Sequence, residues 1–262
     1  MTSSAHLAMI RQALAVVDAQ SMPPRLPAAL PLLFDGVYSE LEKGIEQNPI
    51  EHHLVVLKHA MEIAVSCGFD EDALKRAAAI AMLHDIAPVR KVTSQAVAES
   101  QRIHGDVAAA SLEELRRSLR IRHMEQGAEQ ARTQLLRFNR SSSEEYFNSA
   151  DIDAICGVIA IHDNPSVGIP IPSGDLLAVV QREADRLWMV TLAGVETDLR
   201  RAGKDPANPV LRKEQVQWNI DDFRKERKVY NESAERFCDA ETFFRTKAGW
   251  EIYKKWRTLW EL

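Results

Sequence analysis

At 262 residues, 45% of them hydrophobic and 27% charged, the chain has the balance of an ordinary globular protein and the length for one sizeable domain with additions or two small ones, of which one domain is favoured and a disordered chain is not the expectation. A formal net charge of −5 and a pI of about 5.9 argue against a dedicated nucleic-acid or membrane-surface protein. The three cysteines, Cys67, Cys156 and Cys238, are odd in number and lack C-x-x-C spacing, so they suggest neither a disulfide framework nor a thiolate zinc site but buried thiols in a reducing compartment. The start of the chain lacks the cationic opening and unbroken apolar run of a secretory signal, and no later run approaches membrane-spanning length, so the expected location is the cytoplasm.

The periodicity is helical almost throughout and no run of alternating β-branched residues announces a sheet, so an all-α fold is expected. A first helix over about residues 4 to 20 leads into "SMPPRLPAALP", whose closely spaced prolines predict a linker or irregular strap, and a second helix covers "PLLFDGVYSELEKGIEQN". The third, "IEHHLVVLKHAMEIAVSCGF", carries Val56, Ala60, Ile63 and Ala64 on one stripe and stops near Gly68. Asp70 is the N-cap of a fourth, "DEDALKRAAAIAMLHDI", which Pro88 ends at about Ile86 or Ala87, leaving His84 and Asp85 in a last helical turn. Residues 113 to 148 form a charged helical excursion with seven arginines between Arg116 and Arg140. It is either a solvated surface or a basic rim that meets phosphate groups over an active site. "DIDAICGVIAIHDN" is a further helix; after a proline- and glycine-rich loop, Ser173 or Asp175 caps one long helix over "DLLAVVQREADRLWMVTLAGVETDLRRAG". Beyond the loop "KDPANPV", the aromatic and charged C-terminal stretch predicts one or two helices folded back onto the core. The expected organisation is N-terminal helices and linker over 1–49, a central domain over 50–200 with the arginine-rich insertion inside it, and a C-terminal extension over 201–262.

Two strongly polar groups at the end of the greasy run "AAAIAMLHDI" need a partner, because a buried polar group without one costs a few kcal/mol. A His-Asp pair alone carries little weight, and a second one stands at His162 and Asp163. The context carries more. Val56, Ala60, Ile63 and Ala64 follow His52 at offsets of 4, 8, 11 and 12, so His52 tops the buried stripe of its helix, whereas His53 would start a less coherent face. Asp185 lies mid-helix in "VVQREADRLWMV", a setting in which a carboxylate wants a cation.

This arrangement resembles the HD-domain superfamily of metal-dependent phosphohydrolases, whose H…HD…D signature binds a divalent metal within a helical bundle. The resemblance covers roughly residues 50 to 190 and maps its ligands onto His52, His84, Asp85 and Asp185. His104, in "RIHGDVAAASL", and His162, in "AICGVIAIHDNP", resemble the extra ligands of a dinuclear subset ordered H…HD…H…H…D. In that reading Asp85 bridges two metals, with His52, His84 and Asp185 on one and His104 and His162 on the other, and Asp85, His104 and His162 stand closest to the chemistry. The loop "HDIAPVRK" departs from the glycine and lysine that follow the pair in many members, and Arg90, Lys91 and Arg186 are the candidates for neutralising substrate phosphate. Imidazoles and carboxylates without thiolates suit one or two divalent ions drawn from Mn, Fe, Co, Ni, Zn and Mg. Two such ions about 3.5 to 4 Å apart acidify water and clamp phosphoryl oxygens.

His59 and His123 are read as structural or exposed, and Trp188, Trp250, Trp256 and Trp260 as packing groups. The resemblance implies first a phosphohydrolase acting on a nucleotide or other small phosphorylated metabolite. A minority of the dinuclear subset are di-iron oxygenases that cleave a C–C or C–P bond with O2, and a third reading is a ligand-sensing module without catalysis. The aromatic C-terminal helices suit an interface between copies, giving a homo-oligomer, as well as a lid.

Overall fold

The structure is a computed structural model that describes residues 4–41, 50–87, 107–142, 144–172, 174–230 and 243–261, with the backbone alone for 38–41, 107–113 and 228–230. Among the described residues there are ten α-helices, one short 3-10 helix and no strand. In chain order these are α1 (Ser4–Leu14), α2 (Leu26–Leu41), α3 (Ile50–Ser66), α4 (Glu71–Leu83), α5 (Val107–Ser141), α6 (Ser149–Ile159), the 3-10 helix (Asn164–Val167), α7 (Leu176–Trp188), α8 (Leu192–Arg201), α9 (Pro209–Tyr230) and α10 (Lys247–Leu259). No helix among the described residues is long and apolar enough to cross a membrane.

The centre of the fold is an antiparallel pair, α3 and α4, with α7 packed on both. Gly68 turns the chain between them in the left-handed region, φ 74°, where its amide reaches the Val65 carbonyl and the Phe69 amide reaches that of Ala64. Asp70 then caps α4 by accepting from the Ala73 amide at 2.8 Å. His52 stands sixteen residues before Gly68 and His84 sixteen after it. Helices of equal rise folded about that midpoint bring both histidines to the same end of the pair. The alanine run of α4, Ala77 to Ala81, is buried and lets its neighbours approach closely.

Helix boundaries moved where local chemistry outweighed periodicity. The strap expected through "SMPPRLPAALP" is shorter, since α2 already begins at Leu26. Pro27 falls in its first turn, where a missing N–H costs nothing, and Pro31 is carried inside the helix. The long helix expected from Asp175 onward, which Asp175 does cap by accepting from the Ala178 amide at 3.0 Å, is two helices. Thr191 breaks it: its hydroxyl donates to the Trp188 carbonyl at 2.7 Å and accepts from the Gly194 amide, starting α8 anew. A Cβ at position 194 would collide with that carbonyl, so only glycine fits the turn.

The C-terminal helix docks on α7 through Glu183, whose carboxylate accepts the Thr246 hydroxyl and the backbone amides of Arg245 and Thr246. Burial pushes this carboxyl up to about 7 against those three donors. Phe243, Phe244 and Tyr253 complete the same core, and any side chain at Gly249 would run into Glu183. The Trp260 indole donates to the Val190 carbonyl at 2.8 Å.

A second polar anchor joins α4 to α6. The buried Asp151 carboxylate accepts Lys75 Nζ and Arg76 Nε, each at 2.7 Å, and completes a capping box with Asn148. Burial raises the pKa of Asp151, but the bonds from Lys75 and Arg76 outweigh it and hold the group below its ordinary 3.8. A depressed carboxyl stabilises the fold above pH 3.8, and that contribution is lost as the pH falls through the folded-state pKa. Asp151→Ala is expected to cost about 3 kcal/mol near neutral pH, since it removes the anion shared by Lys75 and Arg76 together with half of a capping box, and to flatten the acid limb of stability against pH. Urea denaturation across pH measures both, and an unchanged midpoint would refute the assignment.

Candidate metal centre

The side chains of His52, His84, Asp85 and Asp185 converge at the end of the α3–α4 pair. His52 comes from the first turn of α3, His84 caps the C-terminus of α4, Asp85 follows it, and Asp185 lies in the last turn of α7. His52 Nε2 is 3.0 Å from His84 Nε2, 3.4 Å from Asp85 Oδ2 and 3.3 Å from Asp185 Oδ1. His84 Nε2 is 3.5 Å from Asp185 Oδ1 and 3.8 Å from Asp85 Oδ2. Both imidazoles are buried, and the Trp188 ring closes the site edge-on to His52 at 5.3 Å between centroids.

The other oxygen of Asp85 faces a second group. Asp85 Oδ1 lies 3.1 Å from His123 Nε2 and 3.4 Å from His162 Nε2. His162 stands in the turn after α6, and His123 reaches in from α5. Gly127, one turn further along α5, makes that approach feasible. A Cβ there would lie 3.5 Å from the His84 carbonyl, an ordinary contact, and a tight 3.3 Å from Ile159 Cγ2, so the helix backbone passes close beside both.

His123 is the residue that the sequence reading missed. Expected to be structural or exposed, it is buried and turned toward Asp85. A weak signal was present, because His123, Gly127, Ala131, Leu135 and Phe138 recur at helical spacing inside the charged stretch and all five are buried. His104, expected in the second group, lies outside the described residues, as do Arg90 and Lys91. With His123 counted instead, the order H…HD…H…H…D still holds. Between the adjacent histidines of α3, His52 faces the cluster. His53 is also buried but neither ring nitrogen has a partner among the described residues, and burial together with the charges of His52 and His84 pushes it down to about 3, a neutral ring. His59 pairs with Glu62 at 3.2 Å, away from the cluster. Arg186, expected at the substrate, instead bonds Glu226 and, at 3.1 Å, the Ser166 hydroxyl; burial and the neighbouring Arg182 lower it to about 10.

The hydrogen bonds behind the cluster set the tautomers. His84 Nδ1 is 3.0 Å from the Ala81 carbonyl and His162 Nδ1 is 2.7 Å from that of Ile159; a carbonyl only accepts, so both Nδ1 atoms carry the proton. In the neutral rings, Nε2 then presents a lone pair toward carboxylate oxygens. Acceptors facing acceptors in a buried site need a cation between them. Protons are one source: burial lowers the pKa of His84, His123 and His162, but Asp85 and its neighbours outweigh it, so all three are raised. Burial raises Asp85, and His84 with bonds from His123, His162 and His52 pulls it well below the usual carboxylate range; Asp185 is likewise brought down to about 2, chiefly by His84.

A metal ion is the other source, and the spacing suits it. Ligands about 2.1 Å from one ion stand about 3.0 Å apart at octahedral edges and about 3.4 Å apart at tetrahedral ones, close to the separations here. His52, His84 and Asp85 could hold a metal ion, and so could Asp85, His123 and His162. The class so defined is an all-helical protein with a buried imidazole and carboxylate cluster able to take a cation. No family model, curated protein or solved structure matches the chain.

Proposed function

We propose that the chain is a metal-dependent phosphohydrolase of the HD-domain kind that hydrolyses a phosphate ester of a nucleotide or another small phosphorylated metabolite. One observation carries this reading: the two oxygens of Asp85 face separate imidazole groups, Oδ2 toward His52 and Oδ1 toward His123 and His162. His52, His84, Asp85 and Asp185 would hold one divalent ion, and Asp85, His123 and His162 would hold a second. Bound there, divalent metal would supply an acidified water and positive charge for phosphoryl oxygens, which is most of what ester hydrolysis asks of an enzyme.

The protein's own part is positional. The Ala81 and Ile159 carbonyls hold the His84 and His162 rings with Nε2 inward, and Asp85 sets the spacing of the two groups. The low exposure of the imidazoles keeps competing water away and strengthens every charge interaction within the site.

Metal analysis of the purified chain, joined to a screen of phosphorylated metabolites, tests the proposal. The expected result is bound divalent metal and phosphate release that stops on chelation and returns when Mn or Co is restored. Iron with O2 consumption and no phosphate release would replace the reading with the oxygenase one. Ligand binding without turnover would replace it with the sensing module.

A further inference from the structure

The seven arginines between Arg116 and Arg140 divide sharply. Six are exposed, and Arg120 alone is partly buried. It stands three residues before His123, on the same face of α5, and its Nη1 donates to Asp163 Oδ2 at 2.5 Å. Asp163 Oδ2 is in turn 3.9 Å from His162 Nε2. Two short links therefore place the Arg120 guanidinium beside the imidazoles that face Asp85 Oδ1.

Asp163 is saturated by cations. Arg182, fully buried, donates to its Oδ1 at 2.6 Å and to the His162 carbonyl at 3.2 Å, while its other nitrogen bonds Glu226 at 2.6 Å. Arg182 and Arg186 are thus taken up in holding α7 to α9. Arg120 differs: its side chain is 40% exposed, and Asp163 is its one hydrogen-bond partner among the described residues. One nitrogen of the planar five-donor fork is anchored at Asp163, and the side chain keeps two-fifths of its surface exposed. Among the described arginines that bond Asp163 or its neighbours, Arg120 is the one with the most exposed side chain, against the buried Arg182 and Arg186.

We infer that Arg120 is the anion clamp of this site, holding a phosphoryl oxygen of the substrate on the His123 and His162 side while Asp163 keeps its guanidinium in place. The ligand class is a phosphate monoester or terminal phosphoryl group, whose oxygens match the paired donors of the fork. The inference rests on the phosphohydrolase reading and is tested separately from it. Inorganic phosphate is titrated calorimetrically into the metal-loaded full chain, comparing the unaltered protein with Arg120→Ala, Arg120→Lys and the exposed control Arg117→Ala, and metal content is measured for each. The expected result is phosphate affinity weakened about 10- to 100-fold in Arg120→Ala, partly kept in Arg120→Lys and unchanged in Arg117→Ala, with equal metal content throughout. Equal phosphate affinity in Arg120→Ala would overturn the clamp and leave the enzyme reading standing. Loss of metal in Arg120→Ala would also overturn it, assigning the residue to holding the cluster. An unaltered, metal-loaded protein that ignores phosphate would overturn the phosphohydrolase reading itself.

Discussion

Asp85→Asn is expected to empty both halves of the centre at once. Asparagine keeps the volume and the turn after α4 but replaces an anion with a neutral amide, and its NH2 would point protons at imidazole lone pairs. Two cations held by the two groups would repel each other strongly in a buried site, and the Asp85 carboxylate is an anion that faces both groups. Removing it should take metal content from about two ions per chain to near none and phosphate release to background. The fold should survive, because the buried apolar stripes of α3, α4 and α7 hold the bundle and Asp85 belongs to none of them. Elemental analysis, phosphate release and far-ultraviolet circular dichroism measure the three parts. A helical Asp85→Asn protein that keeps two ions would sink the bridging assignment, and His84→Ala should act in the same direction through the first group.

The second large effect belongs to His123. Its Nε2 faces Oδ1 of Asp85, so on the two-ion reading proposed above His123→Ala should halve the metal content and spare whatever ion His52, His84, Asp85 and Asp185 hold. Activity should fall by more than about 100-fold, beyond the loss typical of outer-shell changes, because a ligand itself is gone. His123→Gln, which keeps more of the buried volume, separates loss of a ligand from loss of packing. His104→Ala is the decisive comparison, since the resemblance to the dinuclear subset points to that residue while the geometry points to His123. Should His104→Ala shed one ion and His123→Ala retain both, the second group as drawn here is wrong.

Much of the first group was legible because its placement is a local matter. The stripe from His52 through Ala64, the glycine at 68 and the aspartate at 70 specify a helix, a turn and a second helix of matched length, and such a hairpin returns His84 to His52 without reference to the rest of the chain. Asp185 was legible as a charge out of place on an apolar face. His123 was not, because the charged residues of α5 mask a narrow buried stripe, and only the packing of Gly127 against His84 and Ile159 shows that this stripe faces inward. For Arg186 the local pattern was silent about its partner. Next to Asp185 in sequence, it is held by Glu226, forty residues away and invisible to any local pattern.

The break of the long helix at Thr191 was encoded locally, in a threonine cap and a glycine three residues on, but apolar periodicity runs through it and conceals the stop. By itself, the order of residues determined the helical class, the hairpin at the centre and the chemical types gathered there, because helix propensity, capping and side-chain chemistry act over a few neighbours. Only the tertiary structure shows that His123 faces Asp85 and which of the seven arginines bonds Asp163. Those choices turn on ångström-scale approach between helices far apart along the chain, and packing sets that approach.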